Sequence, residues 1–392
     1  MRRISANYIY PVSQPPIKNG IVEVDNLGVI QKIIDTKGDL RESRKLEFFN
    51  GIIVPGFVNS HCHLELSDLK DKISKKQGLP KFLEEIITSR KFTKHAKANV
   101  LELYDSFMKQ EGIIAVGDIC NTSDTILIKE KSKIYYHTFV EAIGLQEHAE
   151  KIFAKSIRLS QEFKNKNLAS SIVPHAPYSV SKELLELIRD HAENENTIIS
   201  IHNQESNAEN EMFIGATGGL IDTFRRVRID LGTFKATGKT SIKSILRHLP
   251  TNNNIIFVHN TFTSKEDIDL VNENIKKAFW CLCPKSNLNL EKRLPNIDLF
   301  KRLSNVIIGT DSLASNDNLS ILDEMKVINK YYPEIKFDKL IKWGTLNGAK
   351  ALKIYNKYGS IDIGKSPGLN LISNFDFDKM QITEESKIKV LV

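Results

Sequence analysis

Eight apolar runs of strand character alternate with helical patterns over most of this chain. Such alternation predicts a parallel sheet, and eight repeats are what a closed (β/α)8 barrel requires. A doubly wound sheet is the alternative, but no glycine-rich phosphate-binding fingerprint favours it. We therefore predict an α/β protein with a TIM-type barrel. The predicted barrel strands are residues 52–62, 113–120, 134–143, 169–175, 197–203, 254–260, 277–283 and 304–311.

The two ends of the chain differ from this alternating middle part. Residues 21–24 and 29–34 are short β-type runs separated by a turn, and β character returns after residue 355. Short β-type runs separated by a turn are typical of hairpins rather than of helical crossovers. We expect residues 1–54 and 355–392 to pair into one small β domain, and residues 55–354 to form the barrel of a metal-dependent hydrolase.

Composition argues against several classes of function. The 392 residues include 55 basic and 48 acidic ones, a net charge of +7, and the basic runs lack the interleaved aromatic residues typical of nucleic-acid binding. No apolar stretch reaches the ~20 residues of a membrane span, and no signal-peptide core follows the first residues. The four cysteines indicate free thiols. We expect a soluble cytoplasmic protein that binds neither nucleic acid nor membranes, with a homodimer left open.

Histidine and aspartate side chains stand at the ends of several predicted strands. Catalytic groups of such barrels lie at the carboxyl ends of the strands. Each residue has an ordinary structural explanation when taken alone; the aspartate, for example, could cap a following helix. Their joint occurrence at one rim predicts a functional site. The residues are His61, His63, His175, His202, His259 and Asp311.

Three of these imidazoles and the carboxylate form a donor set that suits a divalent metal ion. His61 and His63 are separated by one residue and therefore face the same side of a strand. With His202 and Asp311 they would hold one ion, zinc or iron, which lowers the pKa of a water molecule so that hydroxide can attack. A second ion usually needs a bridging lysine, and residues 170–173 contain none. We predict one divalent metal ion per chain.

Two further residues are predicted to act in catalysis. Glu205 lies three positions beyond His202, which suits a group that moves a proton rather than a necessary metal ligand. His259 could orient the hydroxide or stabilise charge on the attacked carbon.

Together the motifs resemble the amidohydrolase superfamily, and within it the nucleoside deaminase branch. The resemblance implies that Asp311, besides binding metal, takes a proton from the water. It also implies that Glu205 protonates the ring nitrogen, that His259 positions the hydroxide and that His175 contacts the nucleoside. The similar segments, which lie between about residues 20 and 372, are 55–63, 174–179, 202–206, 258–260, 309–312 and 359–365.

The segment 79–91 bears on the identity of the substrate. Deaminases of S-adenosylhomocysteine and methylthioadenosine usually carry a tryptophan where Phe82 stands and a ribose-binding glutamate near Lys91, which is absent here. Segments 63–67 and 205–213 look more like aminodeoxyfutalosine deaminases of menaquinone biosynthesis, whose substrate carries a benzoate tail. Phe82 is expected to contact the substrate. Cations that could bind the benzoate, or lie on a solvated surface instead, are Arg90, Lys91, Arg225, Arg226 and Arg228.

The resulting prediction is hydrolytic deamination of the adenine ring of a nucleoside, most specifically 6-amino-6-deoxyfutalosine. Alternatives within the same class are a deaminase of S-adenosylhomocysteine or methylthioadenosine, a guanine deaminase and a chlorohydrolase. A different class is a catalytically silent barrel that only binds a ligand. Such a barrel is expected to lose metal ligands or the proton-transfer residue, and the sequence keeps all of them.

Overall fold

A computed structural model describes residues 1–41, 45–92, 96–145, 148–232 and 234–392, without the side chains of residues 90–92. The strands in these ranges are β1 (Arg2–Ile9), β2 (Ile17–Lys18), β3 (Ile21–Val24), β4 (Ile30–Ile34), β5 (Leu46–Pro55), β6 (Phe57–Cys62), β7 (Ile113–Cys120), β8 (Tyr135–Ala142), β9 (Ala169–Pro174), β10 (Ile199–Asn203), β11 (Asn254–His259), β12 (Lys277–Leu282), β13 (Val306–Ile308), β14 (Leu369–Ser373) and β15 (Lys387–Val390).

The α-helices of the same ranges connect and cover these strands. They are α1 (Leu79–Phe92), α2 (Ala98–Gln110), α3 (Ile126–Lys131), α4 (Ala149–Lys164), α5 (Lys182–Glu195), α6 (Asn207–Gly215), α7 (Gly219–Arg226), α8 (Ser241–Ile245), α9 (Lys265–Asn274), α10 (Pro284–Glu291), α11 (Ile297–Phe300), α12 (Ile321–Tyr331), α13 (Phe337–Trp343) and α14 (Leu346–Ala351). Short 3-10 helices cover Leu64–Leu69, Pro177–Ser179 and Leu246–His248.

Eight parallel strands form the α/β part of the molecule. They are arranged as two four-stranded sheets in the orders β6-β7-β8-β9 and β10-β11-β12-β13. Every residue of β11 is buried, as expected for a parallel strand covered on both faces. Helix α5 shows how the covering helices form. Ser181 caps its first turn by accepting the N–H of Leu184, and the apolar side chains buried along it follow a helical period.

The two sheets meet along two seams that strand ladders do not cover. At one seam, the N–H groups of Thr310 and Asp311 donate hydrogen bonds of 3.0 Å to the carbonyl of His61. At the other seam, the N–H of His202 donates to the carbonyl of His175 at 2.9 Å. These bonds hold the carboxyl end of β6 beside that of β13, and the carboxyl end of β9 beside that of β10.

The first predicted barrel strand, residues 52–62, is wrong as a single element. Residues up to Pro55 belong to β5, and the barrel strand β6 begins at Phe57. Gly56 lies between them, and its N–H donates to the carbonyl of Pro367 at 3.0 Å. A Cβ atom at Gly56 would stand 2.8 Å from that carbonyl oxygen, so the chain passes from one sheet to the other where only glycine fits.

Strands from both ends of the chain form a separate seven-stranded sheet. Its order is β15-β14-β5-β1-β3-β4, with β2 paired to β1. Strand β5 runs parallel to β1 and antiparallel to β14, and Ile4, Val22, Ile53 and Leu369 are buried in the core of this sheet. The domain limits at residues 54 and 355 stay a prediction.

Within the described ranges, no helix combines the length and the apolar character that a membrane span needs.

Candidate active site

The four side chains predicted as metal ligands lie together at the rim of the strands. His61 lies in β6 with His63 just after it, His202 lies in β10, and Asp311 follows β13. Nε2 of His63 is 3.1 Å from Nε2 of His61 and 3.3 Å from Nε2 of His202. Oδ1 of Asp311 is 3.5 Å from Nε2 of His61 and 3.4 Å from Nε2 of His63. One nitrogen or oxygen atom of each side chain therefore points to a common centre.

This donor set fits a divalent metal ion. Four ligands held about 2.0–2.2 Å from zinc in a tetrahedron stand roughly 3.3–3.6 Å apart, which is close to the observed separations. All four side chains are buried. Burial, followed by the nearby rings of His175 and His61, lowers the pKa of His202 to about 3, so its imidazole is neutral, the form that binds metal.

Asp311 is oriented by two serine hydroxyls. Ser286 and Ser315 donate hydrogen bonds of 2.7 and 2.6 Å to Oδ2, and Oδ1 remains directed at the histidines. Burial acts to raise the pKa of Asp311, but the hydrogen bond with His61 and the electrostatic interaction with the nearby His259 ring outweigh it, so the pKa lies well below its usual value. The side chain is therefore an ionised carboxylate of fixed direction.

Glu205 and His259 face each other beside this centre. Oε1 of Glu205 is 3.5 Å from Nε2 of His259, and both side chains are buried. Burial, reinforced by the negative charge of Asp311, raises the pKa of Glu205 well above its usual value, which favours the protonated form, from which the group can donate a proton. His259 is also within reach of the ligand centre, because its donor atom lies within 4.8 Å of those of His61, His202 and Asp311.

These residues form one side of a cavity of about 640 Å³, a volume within the range of about 300–1,000 Å³ typical of small-molecule sites. No lysine or arginine lines the cavity among the described residues. The polar side, called the floor, consists of His63, His175, His202, Glu205, His259 and Asp311. The apolar side, called the wall, consists of Leu79, Phe82, Leu83, Ile86, Ile87, Phe224 and Ile229.

A comparison with protein families identifies the architecture around this cavity. A model described as the amidohydrolase family matches residues 52–388, which is most of the chain. The chain belongs to the amidohydrolase family. Members of this family are TIM-barrel enzymes that typically bind a divalent metal ion, so the predicted barrel fold is confirmed and the chain is a metal-dependent amidohydrolase.

Several curated relatives of the chain are deaminases. The chain is 27% identical over 356 residues to adenosine deaminase of Helicobacter pylori, with 89% of this chain and 85% of that protein covered. It is 27% identical over 335 residues to aminodeoxyfutalosine deaminase of Nitratiruptor sp., with 82% and 79% covered. It is 24% identical to 5-methylthioadenosine/S-adenosylhomocysteine deaminase of Thermoanaerobacter pseudethanolicus, with 93% and 82% covered.

A solved structure has the same fold. The aminofutalosine deaminase of Helicobacter pylori, in complex with methylthio-coformycin, superimposes with a TM-score of 0.83 at 23% sequence identity. The alignment covers 97% of this chain and 94% of that chain. Nearly the whole amidohydrolase chain, including both terminal segments, therefore follows a known architecture.

Three residues are predicted to contact the substrate, and they lie in different surroundings. His175 lies on the floor, where its Nδ1 is 2.6 Å from the hydroxyl of Ser179 and its carbonyl is 2.8 Å from Nδ1 of His202. Phe82 lies in the wall, on helix α1. Arg90 belongs to the same helix, but its side chain lies outside the described residues. The roles of these residues stay predictions.

Sequence reasoning missed a carboxylate on the cavity surface. Glu141 lies at the end of β8 and lines the cavity. Its Oε2 accepts a hydrogen bond of 3.1 Å from the side-chain amide of Asn121, and its Oε1 lies 3.7 Å from Nδ1 of His202 without a hydrogen bond among the described residues. Burial raises the pKa of Glu141. Its position at a strand end was the available signal, because the same rule that selected the histidines applies to any ionisable residue there.

A buried ion pair supports the loop that carries His63. Nζ of Lys129 is 2.6 Å from Oδ2 of Asp118, and neither side chain is exposed. Oδ1 of Asp118 accepts the N–H of Leu64 at 2.8 Å, the residue that follows His63. The hydroxyl of Thr138 accepts a further hydrogen bond of 2.9 Å from Lys129. The position of His63 thus depends on a charge pair that the sequence did not reveal.

Proposed function

We propose that this amidohydrolase deaminates the adenine ring of a nucleoside by hydrolysis. The observation that carries the proposal is the convergence of His61, His63, His202 and Asp311 on one centre beside Glu205. A zinc or iron ion at this centre, one per chain, would lower the pKa of a water molecule toward neutrality. The same set of residues argues against a catalytically silent barrel, because every group that the chemistry needs is present.

The chain's own residues divide the proton transfers between them. Asp311, whose carboxylate is ionised and oriented, accepts the proton that the water gives up. Glu205, which is protonated because it is buried, donates a proton to the ring nitrogen next to the attacked carbon. Neutral His259 hydrogen-bonds the attacking oxygen and holds it in line with that carbon. The amino group takes the proton held by Asp311 and leaves as ammonia. The hydroxyl group on the attacked carbon returns a proton to Glu205 as it becomes the carbonyl, so that an amino group is exchanged for oxygen.

Within this class we propose 6-amino-6-deoxyfutalosine as the substrate and menaquinone biosynthesis as the pathway. Two comparisons support this choice, the relative named aminodeoxyfutalosine deaminase and the solved aminofutalosine deaminase. His175 contacts the nucleoside, and Phe82 packs against the aromatic tail. The wall offers an apolar surface of suitable size for a benzoate ring, with Arg90 as the candidate partner for its carboxylate.

A second candidate is 5′-methylthioadenosine. The wall is apolar, and no described residue that lines the cavity carries a positive charge. An uncharged thioether would be buried there without the cost of desolvating a carboxylate. The relative named for methylthioadenosine and S-adenosylhomocysteine is consistent with this choice. We further propose a cytoplasmic location, consistent with four free, buried cysteines; assembly as a homodimer stays a prediction.

The proposal is tested by ammonia release from a panel of compounds. The panel contains aminodeoxyfutalosine, methylthioadenosine, S-adenosylhomocysteine, adenosine, guanine and a chlorotriazine. Turnover of aminodeoxyfutalosine well above the others is expected. Turnover of guanine alone, or of none of the adenine nucleosides, would reject the proposal.

A variant of the proton donor tests the mechanism on the best substrate. Glu205→Gln should lower kcat by roughly 10²- to 10⁴-fold while the metal content per chain stays unchanged, because the group moves a proton and is not needed as a ligand. Glu183→Gln, at an exposed position of α5, is the control and should behave as wild type. An unchanged kcat in Glu205→Gln would show that another group donates the proton.

A further inference from the structure

Glu209 makes an unusual set of hydrogen bonds at the start of helix α6. The helix begins after the N-cap residue Ser206, and Glu209 stands at the third helical position. A glutamate at this position commonly forms a capping box by accepting the N–H of the N-cap residue. Here its carboxylate accepts instead the N–H of Gln204 on Oε1 at 3.0 Å and the N–H of Glu205 on Oε2 at 3.2 Å.

The loop that Glu209 holds contains an unfavourable backbone conformation. Gln204 has a left-handed backbone with φ of +44°, a conformation that a residue with a side chain seldom adopts without support. The side-chain amide of Gln204 donates to Asp267 at 3.0 Å. Glu209 itself is fully buried and accepts a hydrogen bond of 2.5 Å from the hydroxyl of Ser241. The carboxylate therefore fixes two consecutive amide groups, and one of them belongs to Glu205.

We propose that Glu209 is a positioning residue that aims Glu205 into the cavity. The inference rests on the proposed function, in which Glu205 donates a proton to the substrate ring. Proton transfer requires the donor oxygen to stand within hydrogen-bond distance of the accepting atom. A rotation of the 204–205 peptide would move the Glu205 side chain away from His259 and from the ring. Glu209 prevents this rotation without touching the substrate.

Two measurements on Glu209→Gln test the inference. The amide group keeps the shape of the side chain but presents an NH₂ group to one of the two N–H donors, so one hydrogen bond is lost. Hydrogen exchange of peptide 203–208, followed by mass spectrometry, should become faster. The kcat should fall by on the order of 10- to 100-fold, with KM and metal content little changed.

A double-mutant cycle separates positioning from a general loss of structure. If Glu209 acts through Glu205, Glu209→Gln should cause little further loss of kcat in the Glu205→Gln background. An equal loss in both backgrounds would overturn the inference, as would unchanged exchange of peptide 203–208. The matched control is Asp105→Asn, a buried carboxylate that accepts hydrogen bonds from Ser132 and Tyr136 away from the cavity; its kcat should equal that of wild type.

A second variant keeps the test decisive if Glu209→Gln fails to fold. Ser241→Ala removes only the hydroxyl that donates to Glu209 and should change exchange and kcat in the same directions by a smaller factor. No change in either quantity would contradict the inference. If the wild-type protein deaminates no adenine nucleoside, the proposed function fails, while hydrogen exchange still decides whether the Glu209 carboxylate holds the loop.

Discussion

The floor and the wall of the cavity are built by different means. Floor side chains project from strand ends, and several are fixed by hydrogen bonds, as Asp311 is by Ser286 and Ser315. Wall side chains come from α1, α7 and the segment after α7, and their apolar groups are held by packing alone. The reaction therefore depends on polar side chains that are fixed in the barrel. The choice of substrate depends on helices, where substitution of an apolar residue should destabilise the barrel less.

Removing the cation beneath the floor should have the largest effect on stability. Lys129→Met leaves Asp118 as an uncompensated buried charge, which typically costs about 3–5 kcal/mol. Because Asp118 also holds the N–H of Leu64, the metal content should fall as well. Urea unfolding and metal analysis measure both effects.

Lys72→Met is the control for this prediction, because Lys72 is exposed and should change stability by less than about 0.5 kcal/mol. Equal stability of the two variants would show that the floor does not depend on the buried ion pair.

A buried carboxylate that supports the floor, Glu324, should also make stability depend on pH. Glu324 accepts hydrogen bonds from the N–H of Lys285 and from the side chain of Asn316, which donates also to the carbonyl of Thr310 before Asp311. Burial raises the pKa of Glu324 from 4.5 to about 8. The unfolded chain therefore loses this proton near pH 4.5, whereas the folded chain keeps it until about pH 8.

The sign of the effect follows from that difference. The free energy of unfolding should decrease as pH rises from about 4.5 to 8 and then level off, by up to a few kcal/mol for this group. Glu324→Gln cannot ionise, so its stability relative to wild type should increase over the same interval. Urea unfolding at several pH values checks this, and a constant difference between the two proteins would contradict it.

A change in the wall should have the smallest effect and should leave the chemistry intact. Phe82→Ala removes apolar surface from the cavity, at an expected cost of about 1–2 kcal/mol, or roughly 5- to 30-fold in KM, with kcat little changed. Steady-state kinetics on the preferred nucleoside measure this. Leu103→Ala, at an exposed leucine of α2, is the control. A large decrease of kcat in Phe82→Ala would show that the wall contributes to the reaction itself and not only to substrate binding.

The floor residues could be predicted from the sequence because each of them is recognised from its immediate neighbours in the chain. Apolar runs marked the strands, and a histidine or aspartate at the end of a run identified a rim residue without knowledge of its neighbours. The division of residues 52–62 into two strands was not foreseen, because the contact of Gly56 with Pro367 joins distant parts of the chain.

The residues that support the floor and those that form the wall could not be predicted from the sequence in this way. Ser286 is distant from Asp311 in sequence, and both Ser286 and Ser315 come to lie beside its carboxylate only through folding. Lys129 belongs to the charged run 129–133, whose composition gives no sign that this lysine is buried. In the wall, Phe82 and Phe224 come from helices far apart in sequence. In the sequence, their apolar side chains cannot be distinguished from other buried helix residues. Only the tertiary structure shows that they line the same cavity.

Elemental analysis of the purified protein measures whether the four side chains hold one divalent ion. One zinc or iron ion is expected per wild-type chain, and a content far below one is expected for His202→Ala, with the fold retained by circular dichroism. Two ions per wild-type chain, or an unchanged content in the variant, would contradict it.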